Sequence, residues 1–155
     1  MTIETHKHYT ETVYYELEQT AKFCKTLGVQ IFEKFKFEIS PDEFCILDTL
    51  QMHPEICQRD LAKLILRDRA NTGRLVNSLE EKGYIKRFVD LKNNRLVKKL
   101  TVTKSGEEIW NNCIIKMTPV FSDCMNKFSR EDIDTLRSAL YKFRQTLEEV
   151  VDLQI

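Results

Sequence analysis

The sequence predicts a mostly α protein with one small β-hairpin, and three observations predict it. Four glycines and three prolines in 155 residues leave few turn formers, which favours long helices over a turn-rich sheet protein. Apolar residues recur at three- and four-residue spacing through most of the chain. Between Pro41 and Gly106, finally, a pair of short helical segments is followed at once by two basic, strand-like segments around Asn93-Asn94. Helix, tight turn, helix, hairpin in that order is a winged helix-turn-helix. In that arrangement the second helix can enter a DNA major groove while the hairpin reaches for the neighbouring minor groove. The expected organisation is one domain over residues 1–155. A winged core occupies about 41–103, flanked by dimerisation helices over about 9–37 and 104–153.

The first helix is read from Val13, Leu17, Ala21, Cys24, Leu27, Ile31 and Phe35, a helical stripe sustained for about seven turns. Gly28 interrupts it at a cost of about 1 kcal/mol and marks a candidate bend. Ser40 then caps a second helix, with Pro41 at its first position and Glu43 where a capping box wants it. Phe44, Leu47 and Leu50 face inward, and the helix stops before Pro54. Ile56 is placed for a strand of one or two residues. Cys57–Ile65 forms a third helix around Leu61, Ala62 and Ile65. Asp68 caps a fourth, whose Thr72, Leu75, Val76 and Leu79 make one apolar stripe, and Gly83 ends it in a left-handed conformation. Tyr84–Leu91 and Arg95–Thr101 pair across Lys92-Asn93-Asn94 as a hairpin. Thr103 starts a fifth helix through Trp110 and Met117, in which Pro119 is expected to kink the axis. Ser129 starts the last helix, where Ile133, Leu136, Leu140, Phe143, Leu147 and Val150 alternate by three and four like a coiled-coil seam.

The chain is neutral overall, but its charge is unevenly placed. Thirteen Lys/Arg and five Asp/Glu lie from Arg59 to Lys104, so that segment carries +8 and the remainder −8. Positive charge is thus gathered on the part that would face phosphate. No apolar run approaches the ~20 residues of a membrane span, and the polar start, Met1–His8, lacks a signal-peptide core. A cytoplasmic protein without membrane partners is expected. A lone winged core has no place to bury the stripes of the first and last helices. Joining two copies would bury them, and would set two recognition helices about one DNA turn apart on a palindromic site.

Gln58-Arg59-Asp60-Leu61-Ala62-Lys63-Leu64-Ile65, Asp68-Arg69, and Arg74-Leu75-Val76-Asn77-Ser78-Leu79-Glu80-Glu81-Lys82-Gly83-Tyr84-Ile85-Lys86-Arg87 resemble the MarR family of bacterial transcriptional regulators. Val102, Thr103 and Gly106 after the hairpin, and the Ser129–Asp132 helix start, resemble it too. Three positions depart from the family pattern. Leu66 stands in the inter-helix turn where Gly is frequent. Gly73 stands in the recognition helix where Ser or Thr is common. The wing reads Asp90-Leu91-Lys92-Asn93-Asn94-Arg95-Leu96, with one Arg where the family usually has two. The resemblance implies a homodimeric DNA-binding regulator, most often a repressor. It also implies a small effector bound between the dimerisation helices and the DNA-reading core, where Tyr14, Phe32, Phe44 and Trp110 are candidate lining, or plain core.

Opposite the apolar stripe of the fourth helix lie Ala70, Arg74, Asn77 and Glu81. Arg grips guanine O6 and N7 at two points and Asn does the same for adenine, so Arg74 and Asn77 are assigned to base edges. Arg69 and Asn71, near the helix N-terminus, suit bases or phosphates. Arg95 suits the electronegative minor groove, with Lys92 and Asn94 beside it. Lys86, Arg87, Lys98 and Lys99 are expected to meet DNA backbone or water.

Five scattered cysteines without a C-x-x-C pair argue against a disulfide framework or zinc ribbon. Cys45, Cys57, Cys113 and Cys124 are expected to pack as small hydrophobes. Some relatives of this kind sense oxidants through a thiol near the first helix, so Cys24, with Lys22 and Lys25 nearby, is the alternative redox site. His6, His8 and His53 lack ligand spacing, and no metal or other cofactor is expected. Neither a phosphate loop nor a catalytic motif is present, so no enzyme is expected. The remaining alternative is a winged helix that binds protein rather than DNA.

Overall fold

The computed structural model describes residues 8–152, with the side chain of Lys92 excepted. The expectation about His6 lies outside the described residues. In order come a single 3-10 turn (Tyr9–Glu11), α1 (Val13–Phe35), α2 (Pro41–Met52), α3 (Gln58–Leu64), α4 (Arg69–Glu81), β1 (Ile85–Lys92), β2 (Arg95–Val102), α5 (Lys104–Met125) and α6 (Arg130–Glu148). The protein is therefore mostly α with a two-stranded wing. The chain divides after residue 41 into two compact units.

In the first unit Thr12 caps α1 by accepting from the Tyr15 backbone N–H. The helix runs through Gly28 without a break. It ends at Lys36, which takes a left-handed conformation (φ 52°). Phe37 N–H then reaches back to the Phe32 carbonyl at 3.1 Å, and the Phe32 and Phe37 rings meet edge to face at 4.9 Å. Ile31 and Phe32 are the buried residues of this helix. Its earlier stripe is not: Val13 is 55 % exposed, and Ala21 and Cys24 are exposed as well.

In the second unit Ile46, Leu47 and Leu50 of α2, Leu61 and Ala62 of α3, Val76 and Leu79 of α4, Ile85 of β1, Leu100 of β2, and Cys113 and Met117 of α5 are buried. Ile46 takes the inward place that the spacing gave to Phe44, which is half-buried. A helix that must be covered on two sides buries a wider arc than one row of spacing reveals. Trp110 of α5 donates its indole N–H to Asp48 Oδ1 of α2 at 3.0 Å. Cys57 forms an isolated bridge with Lys99, and Leu100 N–H donates to the Ile56 carbonyl. The brief strand expected at Ile56 thus flanks the wing.

The wing pairs Ile85 with Val102 through to Lys92 with Arg95. Only Asn93 and Asn94 remain for the turn, at φ 53° and 59°. Two successive left-handed residues define a type I′ turn, whose twist matches that of the strands, and Asn is among the residues that tolerate it. Leu66 is left-handed too (φ 52°), with its N–H on the Lys63 carbonyl and Arg67 N–H on the Ala62 carbonyl. The departure from Gly in the α3–α4 turn therefore places a side chain where glycine has no steric penalty.

The wing returns to the helices through a close approach at Gly106. Thr103 Oγ1 donates to the Gly83 carbonyl, its N–H donates to the Tyr84 carbonyl, and its hydroxyl accepts from Gly106 N–H to cap α5. A Cβ on Gly106 would sit 2.0 Å from the Tyr84 carbonyl oxygen. That contact explains the Val-Thr-x-x-Gly spacing. α5 continues past Pro119 to Met125 without the helix ending. Ser129 and Asp132 form a reciprocal capping box on α6.

Two stability predictions follow from the backbone, both read by urea denaturation. Gly106→Ala forces the Tyr84 backbone to move and lowers stability by about 2 kcal/mol or more. Leu66→Gly relieves about 1–2 kcal/mol of left-handed strain against a smaller unfolded-state entropy cost, so the midpoint rises by the equivalent of about 0.5–1 kcal/mol.

Candidate nucleic-acid interface

The exposed face of α4 is set by what the helix buries. Thr72, Val76 and Leu79 are fully buried, so Arg69, Arg74 and Asn77 stand exposed on the other side and Asn71 half-exposed. Asp68 caps the helix by accepting from Asn71 N–H at 2.7 Å. Arg74 Nη2 lies 3.5 Å from Asn71 Oδ1. Gly73 points at α3: a Cβ there would meet Gln58 Nε2 at 3.2 Å. The departure at this position thus faces a neighbouring helix.

Two groups fix α4 against its surroundings, and spacing along the chain did not reveal them. Glu43 of α2 is 4 % exposed. Its carboxylate accepts from Lys82 Nζ at 2.8 and 2.9 Å and from Ser78 Oγ at 2.6 Å. Arg87 of β1 forms an ion pair with Glu80 and donates to Asn77 Oδ1, with Gln58 Oε1 at 3.5 Å. Arg87 was expected on DNA backbone or in water, yet it is engaged within the fold. Partners seven to 39 positions away leave no local periodic signal.

On the wing, Asn94 and Arg95 are exposed, as are Lys86 and Lys98. The side chain of Lys92 lies outside what is described. Lys99 pairs with Asp90, and its Nζ is also 3.7 Å from Glu55. Hydrogen bonding to Lys99 lowers the Asp90 pKa, and the same bond raises that of Lys99. A groove of about 600 Å³ lies between the start of α3 and β2. Its lining brings Arg59 together with Arg95 and Lys98. Arg59 lies 36 positions before Arg95, and only the wing's return strand makes them neighbours.

The cysteines correct one expectation. Cys113 is buried, but Cys45 and Cys124 are exposed and Cys57 is intermediate. Burial pushes the Cys113 thiol up to about 11, and partial desolvation by the atoms packed around its base raises the Cys45 thiol although its side chain reaches solvent. The Cys57 thiol lies 3.1 Å from Asp60 Oδ2. Cys24, expected on the apolar stripe of α1, is exposed. Among the described residues no group of three His, Cys, Asp or Glu is placed to hold a metal ion, and no helix is long and apolar enough to cross a membrane.

Residues 39–97 match the model of the MarR family. A Bacillus subtilis (strain 168) protein described as an uncharacterized HTH-type transcriptional regulator, YybA, is 24 % identical over 111 residues, 72 % of this chain and 73 % of its own. The structure of Staphylococcus aureus MepR in complex with DNA superposes with a TM-score of 0.75 at 23 % identity, over 90 % of this chain and 99 % of that one. A MarR protein from Peptoclostridium difficile gives a TM-score of 0.75 at 19 % identity, over 96 % of this chain and 94 % of that one. The match to the MarR family thus lies on the winged-helix segment, and the fold is shared with MepR and with the Peptoclostridium difficile MarR protein.

The Glu43 clamp is testable by a double-mutant cycle. Lys82→Ala leaves a buried carboxylate with Ser78 as its remaining partner in the clamp. Because Lys82 is itself 35 % exposed, the expected cost is about 2 kcal/mol rather than the full 3–5 kcal/mol of a deeply buried pair. Replacing Glu43 and Lys82 together by Leu and Met costs less than Lys82→Ala alone.

Proposed function

We propose that this chain, with its MarR-family winged helix, is a sequence-specific DNA-binding transcription regulator. It acts as a homodimer on a palindromic operator, most often as a repressor, in the cytoplasm. The observation that carries the reading is the pairing of α4's exposed Arg69 and Arg74 and half-exposed Asn71 with a cationic wing, on a segment of charge +8 within a neutral chain. Phosphate contacts from such a surface supply affinity and salt dependence, while the helix side chains supply sequence preference. The complex of MepR with DNA supports the same partner for this fold.

Dimerisation is supported by α6, which has no buried residue and leaves Leu136 and Leu140 of its seam 58 and 41 % exposed, while Val150, expected on the same seam, lies past its end at Glu148. Its seam has the three-four spacing that suits a second helix, and α1 leaves Val13, Ala21 and Cys24 of its own stripe exposed. Two-fold pairing through these helices would bury both. A small effector would act by favouring one spacing of the two recognition helices over another, which requires different affinity for the two. A second reading, control through the Cys24 thiol, is favoured by that side chain's exposure on α1.

Fluorescence anisotropy tests the main reading, with the full chain on a duplex from upstream of its own gene, a scrambled duplex, and a randomised pool, across a salt series. Binding is expected to be steep in salt and to prefer one sequence. Arg74→Ala should cost about 1–3 kcal/mol and relax preference at one position per half-site. Arg95→Ala should lower the salt slope by about one. Binding indifferent to sequence in all three would overturn the reading in favour of a protein partner.

A further inference from the structure

Charge on the wing is not evenly neutralised. Arg87 is ion-paired with Glu80 and Lys99 with Asp90, whereas among the described residues Arg95 and Lys98 have no ion pair. Arg59, the second residue of α3, meets Asp60 loosely at 3.8 Å, with its side chain 63 % exposed. These three cations, from two separate elements, line one groove of about 600 Å³. That volume is roughly twenty times the ~30 Å³ share of one water molecule in the liquid, which is room for a length of chain rather than a single ion.

The backbone of β2 adds donors on the same side. Leu100 N–H bonds to the Ile56 carbonyl, away from β1. N–H groups alternate sides along an antiparallel strand, so those of Lys98 and Leu96 turn the same way, toward the start of α3. Both residues line the groove, and among the described residues neither N–H has an acceptor outside the hairpin. Leu96 and Val97 give the lining an apolar part. Gln58 joins the groove to α4, because its Nε2 lies 3.2 Å from where a Cβ on Gly73 would stand.

We propose that this groove seats the sugar–phosphate backbone of DNA, with Arg59, Arg95 and Lys98 closing on the same short run of phosphates. The assignment deepens the DNA-reading function proposed above and rests on it. With α4 in a major groove, the strand bounding that groove passes beside the helix, where Gln58 and the groove lie. Three cations and two backbone N–H groups match an occupant that offers negative charge and acceptors, and Leu96 and Val97 match the apolar faces of deoxyribose. Arg95 then works on phosphate, in place of the minor-groove contact that its residue type and place on the wing suggest. Arg59, outside both α4 and the wing, becomes part of the same contact. Affinity and salt dependence are set here, while base preference stays with α4.

Methylphosphonate substitution, which makes one backbone position neutral, tests it on a duplex that the full chain selects from a randomised pool. Wild type, Arg59→Ala, Arg95→Ala and Lys98→Ala are compared, with Arg59→Lys as the variant that keeps the charge. Neutralising one phosphate, or two adjacent ones, in each half-site should weaken wild-type binding about tenfold. At those positions and at no others, each alanine variant should cut that penalty to about threefold or less, the mark of a shared contact, and Arg59→Lys should retain it. Each alanine variant should also lower the salt slope by about one and select the same sequence as wild type. The three side chains are exposed, and thermal melts separate lost folding from lost contact. Penalties relieved at three unrelated phosphates, or an Arg95→Ala selection that loses an A·T preference, overturn the inference while leaving sequence-specific binding intact. If wild type enriches no duplex, the DNA-reading function fails and the inference fails with it.

Discussion

A helix that reads a groove must be held in pitch, roll and slide, and one apolar stripe fixes only its roll. Here the other two are supplied by two adjacent acidic residues in the first turn of α2. Asp42 pairs with Arg67, two residues before α4 begins. Glu43, buried, accepts from Ser78 and Lys82 at the far end of the same helix. One turn of α2 therefore grips both ends of α4. Such an arrangement adds little net stability, because removing two charges from water costs about as much as their attraction returns. What it contributes is a single geometry, since a slide of α4 by one turn would take Ser78 and Lys82 away from a buried carboxylate.

The wing depends on that fixed helix at three points. Arg87 ties β1 to Glu80 and Asn77 of α4. Thr103 ties the end of β2 to Gly83 and Tyr84, just past the end of α4. Gly106 lets the start of α5 lie against the Tyr84 carbonyl. Helix, wing and α5 thus form one mechanical body, and the angle between α4 and the wing tip is set by short contacts rather than by the hairpin alone.

How much of this was legible depended on the range of the interaction. Local chemistry was read well: Asp68 capping α4, Ser129 and Asp132 capping α6, and an Asn-Asn turn closing the wing all act within three or four residues. The fold class followed from the low glycine and proline count, the helical periodicity and the element order, and the family resemblance lay mainly on Gln58–Arg87. Polar contacts across the fold were not legible. Glu43 carried a satisfactory local account as a capping-box residue, which hid its link to Lys82, 39 positions away. Arg87 looked like any wing cation until Glu80 was placed beside it. Cys45 and Cys124 were given to the core because free cysteine is often buried. Their helices turn those positions outward, and residue type cannot override that. Leu66 was visible only as a missing glycine, and the left-handed backbone gives that absence a physical meaning.

The wing also bears on how copies of this protein behave in solution. It is a two-stranded ribbon, and among the described residues β1 has no strand partner on its outer side. Near its tip Leu91 and Leu96 face each other across the strands at 66 and 75 % exposure, with Val89 at 60 %. An open strand edge beside exposed apolar side chains is a template for pairing with another chain. Lys86, Arg95 and Lys98 stand along the same ribbon, and between two such ribbons their like charges repel. These wing cations therefore serve as gatekeepers against edge-to-edge association. Neutralising them would alter colloidal behaviour before it altered the fold.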